Sequence, residues 1–248
     1  MSWPACHIIL ASSQVDKAIA DLILGAFFFA MRSCEYSETK SSDRKTQVVS
    51  VGDIQFRIKN KLVPWFSSHT ASSVSISFRS QKNGEKFETI TLHASGDCAL
   101  CPVVVWSRIV KRIRSYRGAD ESWKVNSYVS RNIKHLITAR NISAAVRHAV
   151  DYIGVDSLGF TSADVGTHSI RSGAAMALQL SGVPPHLIKL LGRWKSDSFL
   201  CYIRKQVLEL SQGVSQRMIS VEKFYTIEDL HLDSGLVDRI PTFHSNWF

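Results

Sequence analysis

The amino-acid sequence predicts an α+β fold, mainly helical, in which helices surround a small antiparallel sheet of about three strands. Two observations lead to this class. Apolar residues recur at helical spacing before residue 32 and again after residue 102. Between these stretches, the alternating runs 74–78 and 87–92 flank Asn83-Gly84, a dipeptide that strongly favours a β-hairpin. With 248 residues, of which 45% are hydrophobic, the chain is long enough to bury a core.

The first half of the chain is predicted to contain one helix and three strands. The helix spans 14–31, and its most apolar part, 22–31, has about half of the ~20 residues that a membrane-spanning helix needs. We therefore expect a buried core helix. A polar loop over 41–46 precedes a β-branched stretch over 48–58, which supplies the third strand beside the hairpin.

The second half is predicted to be helical, with Pro and Gly at the helix boundaries. Pro102 suits a first helical position, and Gly154 and Gly182 suit helix ends. The predicted helices span 102–116, 129–153 (as one helix or two), 169–180, 184–191 and 198–210. Residues 211–248 are weakly patterned, so we expect one domain over 1–210 followed by a tail that packs on a neighbouring protomer.

Charge and cysteine content narrow the function. Lys and Arg outnumber Asp and Glu by 30 to 21, a net charge of +9 that favours a polyanionic partner such as nucleic acid. Five scattered cysteines argue against a disulfide framework and favour a reducing, intracellular compartment. His93, Cys98 and Cys101 have zinc-like spacing, but no fourth ligand stands out nearby, so we predict no metal site.

One group of residues has the composition of a phosphoryl-transfer site. His168 and Arg171 lie one helical turn apart, the turn 192–194 (Gly-Arg-Trp) follows about twenty residues later, and Tyr202 comes shortly after. Cations arranged around a lone hydroxyl nucleophile suit phosphoryl transfer, because positioning and charge stabilisation supply most of the catalysis.

The order and spacing of these residues resemble the tyrosine recombinase, or phage integrase, family over about 14–204. The Arg-Trp pair and the Tyr-Ile-Arg at 202–204 are most similar to the recombinases of eukaryotic mobile elements. The resemblance implies site-specific DNA recombination through a 3′-phosphotyrosine intermediate, without metal or cofactor. It also implies double-stranded DNA as partner, tetrameric self-association on DNA, and a nuclear location in a eukaryotic host. The amino-terminal clamp domain usual in the family is expected to be absent.

The resemblance assigns roles in the first half of the chain to four residues. Arg32 matches the first catalytic arginine, and Glu35, one turn later, is placed to support its guanidinium. Lys82, in the hairpin turn, matches the general acid that protonates the 5′-oxygen leaving group. Lys86 lies in the same loop and is its rival.

The other catalytic roles fall in the second half. His168 accepts the tyrosine proton or stabilises charge, and Arg171 binds the phosphate. The family has His or Trp nine residues before the nucleophile Tyr202, and Arg193 occupies that slot. Either Arg193 donates to the phosphate, or a one-residue slip lets Trp194 take the place. Tyr225 is a weaker nucleophile candidate, since its surroundings do not match.

Basic residues away from the centre are expected to contact DNA phosphates without reading sequence. The assigned contacts are Lys86, Arg112, Arg147, Arg204 and Lys205. Three other functions stay open: a non-catalytic DNA-binding remnant of a recombinase, a type IB topoisomerase with the same chemistry, and an RNA-binding or structural basic domain.

Overall fold

A computed structural model describes residues 13–38, 46–79, 88–196 and 199–200 of the chain. Its α-helices, numbered along the described chain, are α1 (Gln14–Phe28), α2 (Ser33–Tyr36), α3 (Pro102–Arg114), α4 (Ala139–Ile153), α5 (Val155–Leu158), α6 (Thr167–Leu180) and α7 (Pro185–Leu191). Its strands are β1 (Ile54–Ile58), β2 (Lys61–Val63), β3 (Ser73–Phe78), β4 (Glu88–His93), β5 (Ser127–Ser130) and β6 (Ile133–Leu136).

The main sheet is antiparallel and follows the order β2-β1-β3-β4. The predicted hairpin pairs β3 with β4, with Ile76 opposite Ile90. Strand β2 is an addition to the prediction. It follows β1 through Lys59 and Asn60, whose positive φ angles of 45° and 68° suit the type I′ turn of a two-residue hairpin. The predicted α+β class is confirmed, with four strands in this sheet instead of about three.

The prediction of helix from residue 129 onward is wrong for its first part. Residues 127–136 form the hairpin β5–β6, with Ser130 opposite Ile133. Its turn, Arg131-Asn132, has φ angles of 50° and 62°, which a helix does not allow. Helix α4 begins only at Ala139, after an N-cap at Thr138, and ends at Gly154 as predicted.

Helix α3 packs against both α1 and the sheet, and these elements supply the middle of the core. The ring of Trp106 on α3 meets Phe29 edge to face, with centroids 5.8 Å apart. It also lies against Gly25 on α1, where a Cβ atom would come 3.0 Å from the ring. The apolar segment 22–31 is largely buried here, as predicted. None of the helices in the described ranges combines the length and apolar character that a membrane crossing requires.

Helix α1 has well-defined ends. It begins with a capping box in which Ser13 and Asp16 accept each other's backbone N–H groups. It ends at Phe28, three residues before the predicted end. Ala30 adopts a left-handed conformation with φ of 44°, which stops the helix. The chain therefore turns sharply just before Arg32, and α6 packs against the same helix.

We predict that two helical glycines respond oppositely to the same substitution. Gly173→Ala on α6 places a Cβ 3.9 Å from Phe27, an ordinary contact, so helix propensity should raise the free energy of unfolding by about 0.5–1 kcal/mol. Gly25→Ala must displace the Trp106 ring, and its stability should be at least about 1 kcal/mol below that of Gly173→Ala. Urea denaturation measures both, and equal stabilisation would contradict the tight packing of α1 on α3.

Candidate active site

Two arginines that lie far apart in the sequence converge on one turn. After α7, residues Gly192 and Arg193 present consecutive backbone carbonyl groups. The Arg171 Nη2 donates to the Gly192 oxygen at 2.5 Å, and the Arg32 Nη2 donates to the Arg193 oxygen at 3.0 Å. The structure therefore brings together Arg32 and Arg171, to which the resemblance assigns roles in one site, and each donates to a peptide oxygen of this turn.

Arg32 is fixed from two sides. Its Nη1 donates to the Glu35 Oε1 at 3.0 Å, and its backbone N–H donates to the Glu35 Oε2 at 2.7 Å. The first bond forms an i,i+3 ion pair, which the sequence spacing predicts. The Arg32 side chain is 18% exposed, whereas the Glu35 side chain is 1% exposed. The buried Glu35 carboxylate thus holds the Arg32 guanidinium from inside the protein, while part of the Arg32 side chain reaches the surface.

Arg171 projects from the buried face of α6. Besides its bond to Gly192, its Nη1 donates to the backbone oxygen of Ala30. The left-handed conformation of Ala30 therefore directs a carbonyl at this arginine as well as ending α1. The guanidinium carbon lies 4.2 Å from the centre of the Trp194 ring, a cation–π contact. Arg171 is only 4% exposed, so these contacts leave it little conformational freedom.

Arg193 points into the protein. Its Nη2 donates to the Glu35 Oε2 at 2.8 Å, and both side chains of this ion pair are almost fully buried. Its Nη1 donates to the Phe29 oxygen at 3.1 Å, and the guanidinium carbon lies 3.7 Å from the centre of the Phe78 ring. Burial lowers the pKa of the Arg193 guanidinium, and the Glu35 carboxylate opposes that shift. The geometry thus does not direct Arg193 at a surface phosphate.

Trp194, the alternative to Arg193 for the predicted phosphate contact, is buried beside Arg171. Its ring packs between the guanidinium of Arg171 and the ring of Phe199, whose centroid is 5.5 Å away. The residue before Arg193 must be glycine here, because a Cβ on Gly192 would lie 1.5 Å from the Trp194 ring. This close approach explains why glycine precedes Arg-Trp in this turn.

His168 lies one turn before Arg171, at the start of α6, and is exposed. The loop that leads into α6 is tied to α4, because the Arg147 Nε donates to the Val165 oxygen at 3.1 Å. Arg147 itself is exposed. Its exposure agrees with the prediction of a surface cation, and its role as a DNA contact stays a prediction.

Arg112 does not fit its predicted role as a DNA contact. Its Nη1 donates to the Ser127 oxygen at 2.6 Å and its Nη2 to the Val125 oxygen at 3.2 Å. Both acceptors are backbone oxygens, one just before β5 and one on its first residue. These contacts make Arg112 a brace between α3 and the β5–β6 hairpin.

Several predicted site residues lie outside the described residues: Lys82, Lys86, Tyr202, Arg204, Lys205 and the rival nucleophile Tyr225. Within the described ranges, no three His, Cys, Asp or Glu side chains are grouped as metal ligands. Cys34, Cys98 and Cys101 are free thiols. Tyr36, beside Glu35, is fully buried, and burial is the main cause that raises its pKa above the ordinary phenol range.

We call Arg32, Glu35, Arg171 and Arg193 the arginine cluster. Three further residues contribute to this cluster, although the sequence contains no pattern that would reveal their roles. Ala30 and Phe29 act through backbone carbonyl groups, which any residue possesses. Phe78 acts through its ring face, and the alternation of β3 predicts only that this residue is buried. A positive φ at Ala30 is equally hidden, because alanine is a good helix former.

We predict that Glu35→Gln lowers the free energy of unfolding by about 3–5 kcal/mol, because it leaves the buried Arg193 charge without its carboxylate. Glu121→Gln is the matched control. It breaks an Arg114–Glu121 pair of 3.2 Å whose carboxylate side chain is 78% exposed, and should cost about 0–1 kcal/mol. The double variant Glu35→Gln/Arg193→Met should be more stable than the sum of the two single effects predicts. Equal losses for Glu35→Gln and Glu121→Gln in urea denaturation would contradict the buried pair.

Comparison with solved structures identifies the fold. The XerH site-specific recombinase, bound to palindromic difH substrate in a post-cleavage complex, is 14% identical with a TM-score of 0.54. The alignment covers 87% of this chain and 50% of that one. The pre-cleavage XerH complex gives 15% identity and a TM-score of 0.53, over 84% and 49% of the two chains. The Tn1549 transposon integrase with right end DNA superposes less closely, with a TM-score of 0.47.

No protein-family model matches the sequence, and no curated protein matches it at a significant level. The chain spans about half the length of the XerH structures to which it is similar. At these identities the comparison establishes the fold. The chain therefore has the fold of the site-specific recombinases, in agreement with the predicted fold class.

Proposed function

We propose that this chain cleaves and rejoins DNA strands at specific sites through a covalent 3′-phosphotyrosine intermediate. The observation that carries the proposal is the convergence of Arg32 and Arg171 on the consecutive carbonyls of residues 192 and 193. Two guanidinium groups held at a fixed spacing suit the non-bridging oxygens of one phosphodiester. The recombinase fold supports this assignment, since two XerH structures that share it contain DNA substrates.

The proposed cleavage step is a transfer of a phosphoryl group. The hydroxyl oxygen of Tyr202 attacks the phosphorus, and the bond from phosphorus to the 5′-oxygen breaks. The Tyr202 proton passes to His168, and Lys82 donates a proton to the departing 5′-oxygen. Arg32 and Arg171 stabilise the charge on the non-bridging oxygens. Rejoining is the reverse reaction, in which a 5′-hydroxyl attacks the phosphotyrosine and releases Tyr202.

The remaining features of the proposal rest on the sequence resemblance. The similarity to recombinases of eukaryotic mobile elements depends on the Arg-Trp pair at 193–194 and on the motif at 202–204. Assembly as a tetramer on DNA, packing of 211–248 on a neighbouring protomer, and a nuclear location in a eukaryotic host belong to the same proposal. A supply of divalent metal is not required, because cationic side chains provide the charge stabilisation.

A DNA-binding protein that does not cleave is the second candidate. Its supporting observation is the 4% exposure of Arg171, whose guanidinium is engaged by two backbone carbonyls. An arginine held in this way stabilises the junction of α1, α6 and α7 whether or not the protein catalyses a reaction. The two candidates differ in one measurable product, the covalent protein–DNA adduct.

The test of the proposal uses a pool of nicked duplexes of randomised sequence, which trap a cleaved strand on the protein. We expect a covalent adduct with the parent chain and none with Tyr202→Phe, because that change removes only the attacking oxygen. Tyr225→Phe is the matched control and should retain the adduct. Peptide mapping of the adduct identifies the attached tyrosine.

The same assay separates the alternatives. Adduct formation should continue in the presence of a metal chelator. Loss of the adduct on chelation and its return with magnesium would indicate a metal nuclease. DNA binding without any adduct by the parent would favour the non-cleaving candidate, and attachment to Tyr225 would overturn the assignment of Tyr202.

The surface cations give a separate prediction about DNA binding. The net charge of +9 should give a dissociation constant for random duplex DNA of about 10⁻⁴–10⁻⁶ M, which weakens steeply as salt rises. Arg147→Gln removes an exposed cation and should reduce the slope of log K against log salt by about one. Arg112→Gln removes a braced cation and should leave that slope unchanged. Fluorescence anisotropy at several salt concentrations measures both slopes. An unchanged slope for Arg147→Gln relative to the parent chain would show that Arg147 does not contact DNA.

A further inference from the structure

Arg193 contacts two parts of the chain that are distant from it in sequence, residues 29–35 and Phe78. Its guanidinium binds Glu35, in α2, and the backbone oxygen of Phe29, directly after α1. One face of the group covers the ring of Phe78, the last residue of β3. Its backbone oxygen accepts a hydrogen bond from Arg32. One residue thus contacts the helix end, the sheet and a proposed phosphate-binding arginine.

We infer that Arg193 is a positioning residue, which holds Arg32 and Arg171 at their working spacing and fixes the end of β3 against them. This inference rests on the proposed function. It replaces the direct contact between Arg193 and phosphate that the sequence position suggests. The Arg193 side chain then affects the reaction indirectly, through the positions of Arg32 and Arg171.

The hydrogen bonds around Glu35 are the first way in which Arg193 positions Arg32. The Glu35 Oε2 accepts from the Arg193 Nη2 at 2.8 Å and from the Arg32 backbone N–H at 2.7 Å. The other oxygen, Oε1, accepts from the Arg32 Nη1. Removing Arg193 would leave this buried carboxylate with Arg32 as its remaining cationic partner, and the carboxylate would turn toward it. The Arg32 guanidinium would then move with it.

The backbone conformation of the turn is the second way in which Arg193 positions Arg32 and Arg171. Arg193 has φ of 56°, a left-handed conformation that residues with a side chain rarely adopt. This conformation brings the Arg193 oxygen to Arg32, while the preceding oxygen of Gly192 binds Arg171. Strained backbone of this kind persists only where surrounding contacts hold it in place. The inward hydrogen bonds of the Arg193 side chain are those contacts.

The stacking on Phe78 extends the positioning to the sheet. Strand β3 ends at Phe78, four positions before Lys82 in the sequence. The guanidinium carbon of Arg193 lies 3.7 Å from the centre of this ring while the edge of the group makes hydrogen bonds. A planar guanidinium can stack and donate at its edge at the same time, whereas a lysine ammonium cannot. Arg193→Lys therefore keeps the charge and removes the geometry.

The test compares two DNA substrates that differ at the scissile linkage. One has the natural phosphodiester, and the other has a methylphosphonate, in which a neutral methyl group replaces one charged non-bridging oxygen. Misplaced arginines should matter less for the second substrate, since less charge develops there. We expect Arg193→Lys to slow adduct formation by about 10²-fold on phosphate DNA. The slowing on methylphosphonate DNA should be less than about tenfold.

The matched control is Arg112→Lys, which alters another arginine that donates to two backbone carbonyls, away from the cluster. A purely structural defect slows adduct formation on both substrates by the same factor, and we expect that result for Arg112→Lys. The same factor for Arg193→Lys would overturn the inference. Phe78→Leu serves as a milder second variant, which removes the stacked ring and keeps Arg193. It should slow cleavage of phosphate DNA about tenfold and leave methylphosphonate cleavage nearly unchanged.

A second measurement does not depend on cleavage and separates this inference from the proposed function. In protein with ¹⁵N-labelled arginine, the guanidinium N–H signals of Arg32 and Arg171 should be protected from exchange with water. Arg193→Lys or Phe78→Leu should abolish that protection. The Arg108 signals report that the fold is intact, because this residue pairs with Asp21 at 2.7 Å elsewhere in the molecule.

Each outcome has a definite meaning. Absence of an adduct with the parent would end the proposed function, while loss of Arg32 and Arg171 protection in the variants would still support the positioning role. Unchanged protection of these two arginines in both variants, with Arg108 signals retained, would overturn the positioning role whatever the cleavage result.

Discussion

The buried ion pair between Glu35 and Arg193 is the constraint on which the candidate site depends. A carboxylate with 1% exposure pays a large desolvation penalty unless several donors surround it. Glu35 receives those donors from the Arg32 side chain, the Arg32 backbone and the Arg193 guanidinium. The need to satisfy one carboxylate therefore fixes the position of two arginines. The proposed phosphate-binding surface is a consequence of that internal arrangement.

Backbone conformation completes the arrangement. Ala30 and Arg193 both adopt left-handed conformations, and the carbonyl of each accepts from an arginine of the cluster. Such conformations are unfavourable for residues with a side chain by about 1–2 kcal/mol each. Hydrogen bonds from a charged donor to a carbonyl contribute about 1.5–3 kcal/mol, enough to offset that strain. The two turns and the arginines they hold thus stabilise one another.

Local signals predict much of the fold, while tertiary contacts decide the site. The β3–β4 hairpin, α6 and α7 follow from alternation, from Asn-Gly and from Pro and Gly at helix ends. Strand β2 and the β5–β6 hairpin depend on Lys-Asn and Arg-Asn turns, whose left-handed conformation is a weaker sequence signal. The inward direction of Arg193 depends on partners at Glu35 and Phe29, more than 150 residues away, which no local pattern reveals.

The long separation between these partners has a consequence for folding. The cluster closes a loop from the end of α1 to the turn after α7, so it can form only after most of the domain has been synthesised and collapsed. An incomplete chain that has buried α1 and α2 holds Glu35 with Arg32 as a cationic partner but without the Arg193 guanidinium. Such an intermediate lacks one of the donors that compensate the burial of this carboxylate. Docking of the Gly-Arg-Trp turn then completes both the candidate site and the set of donors around the buried Glu35 carboxylate.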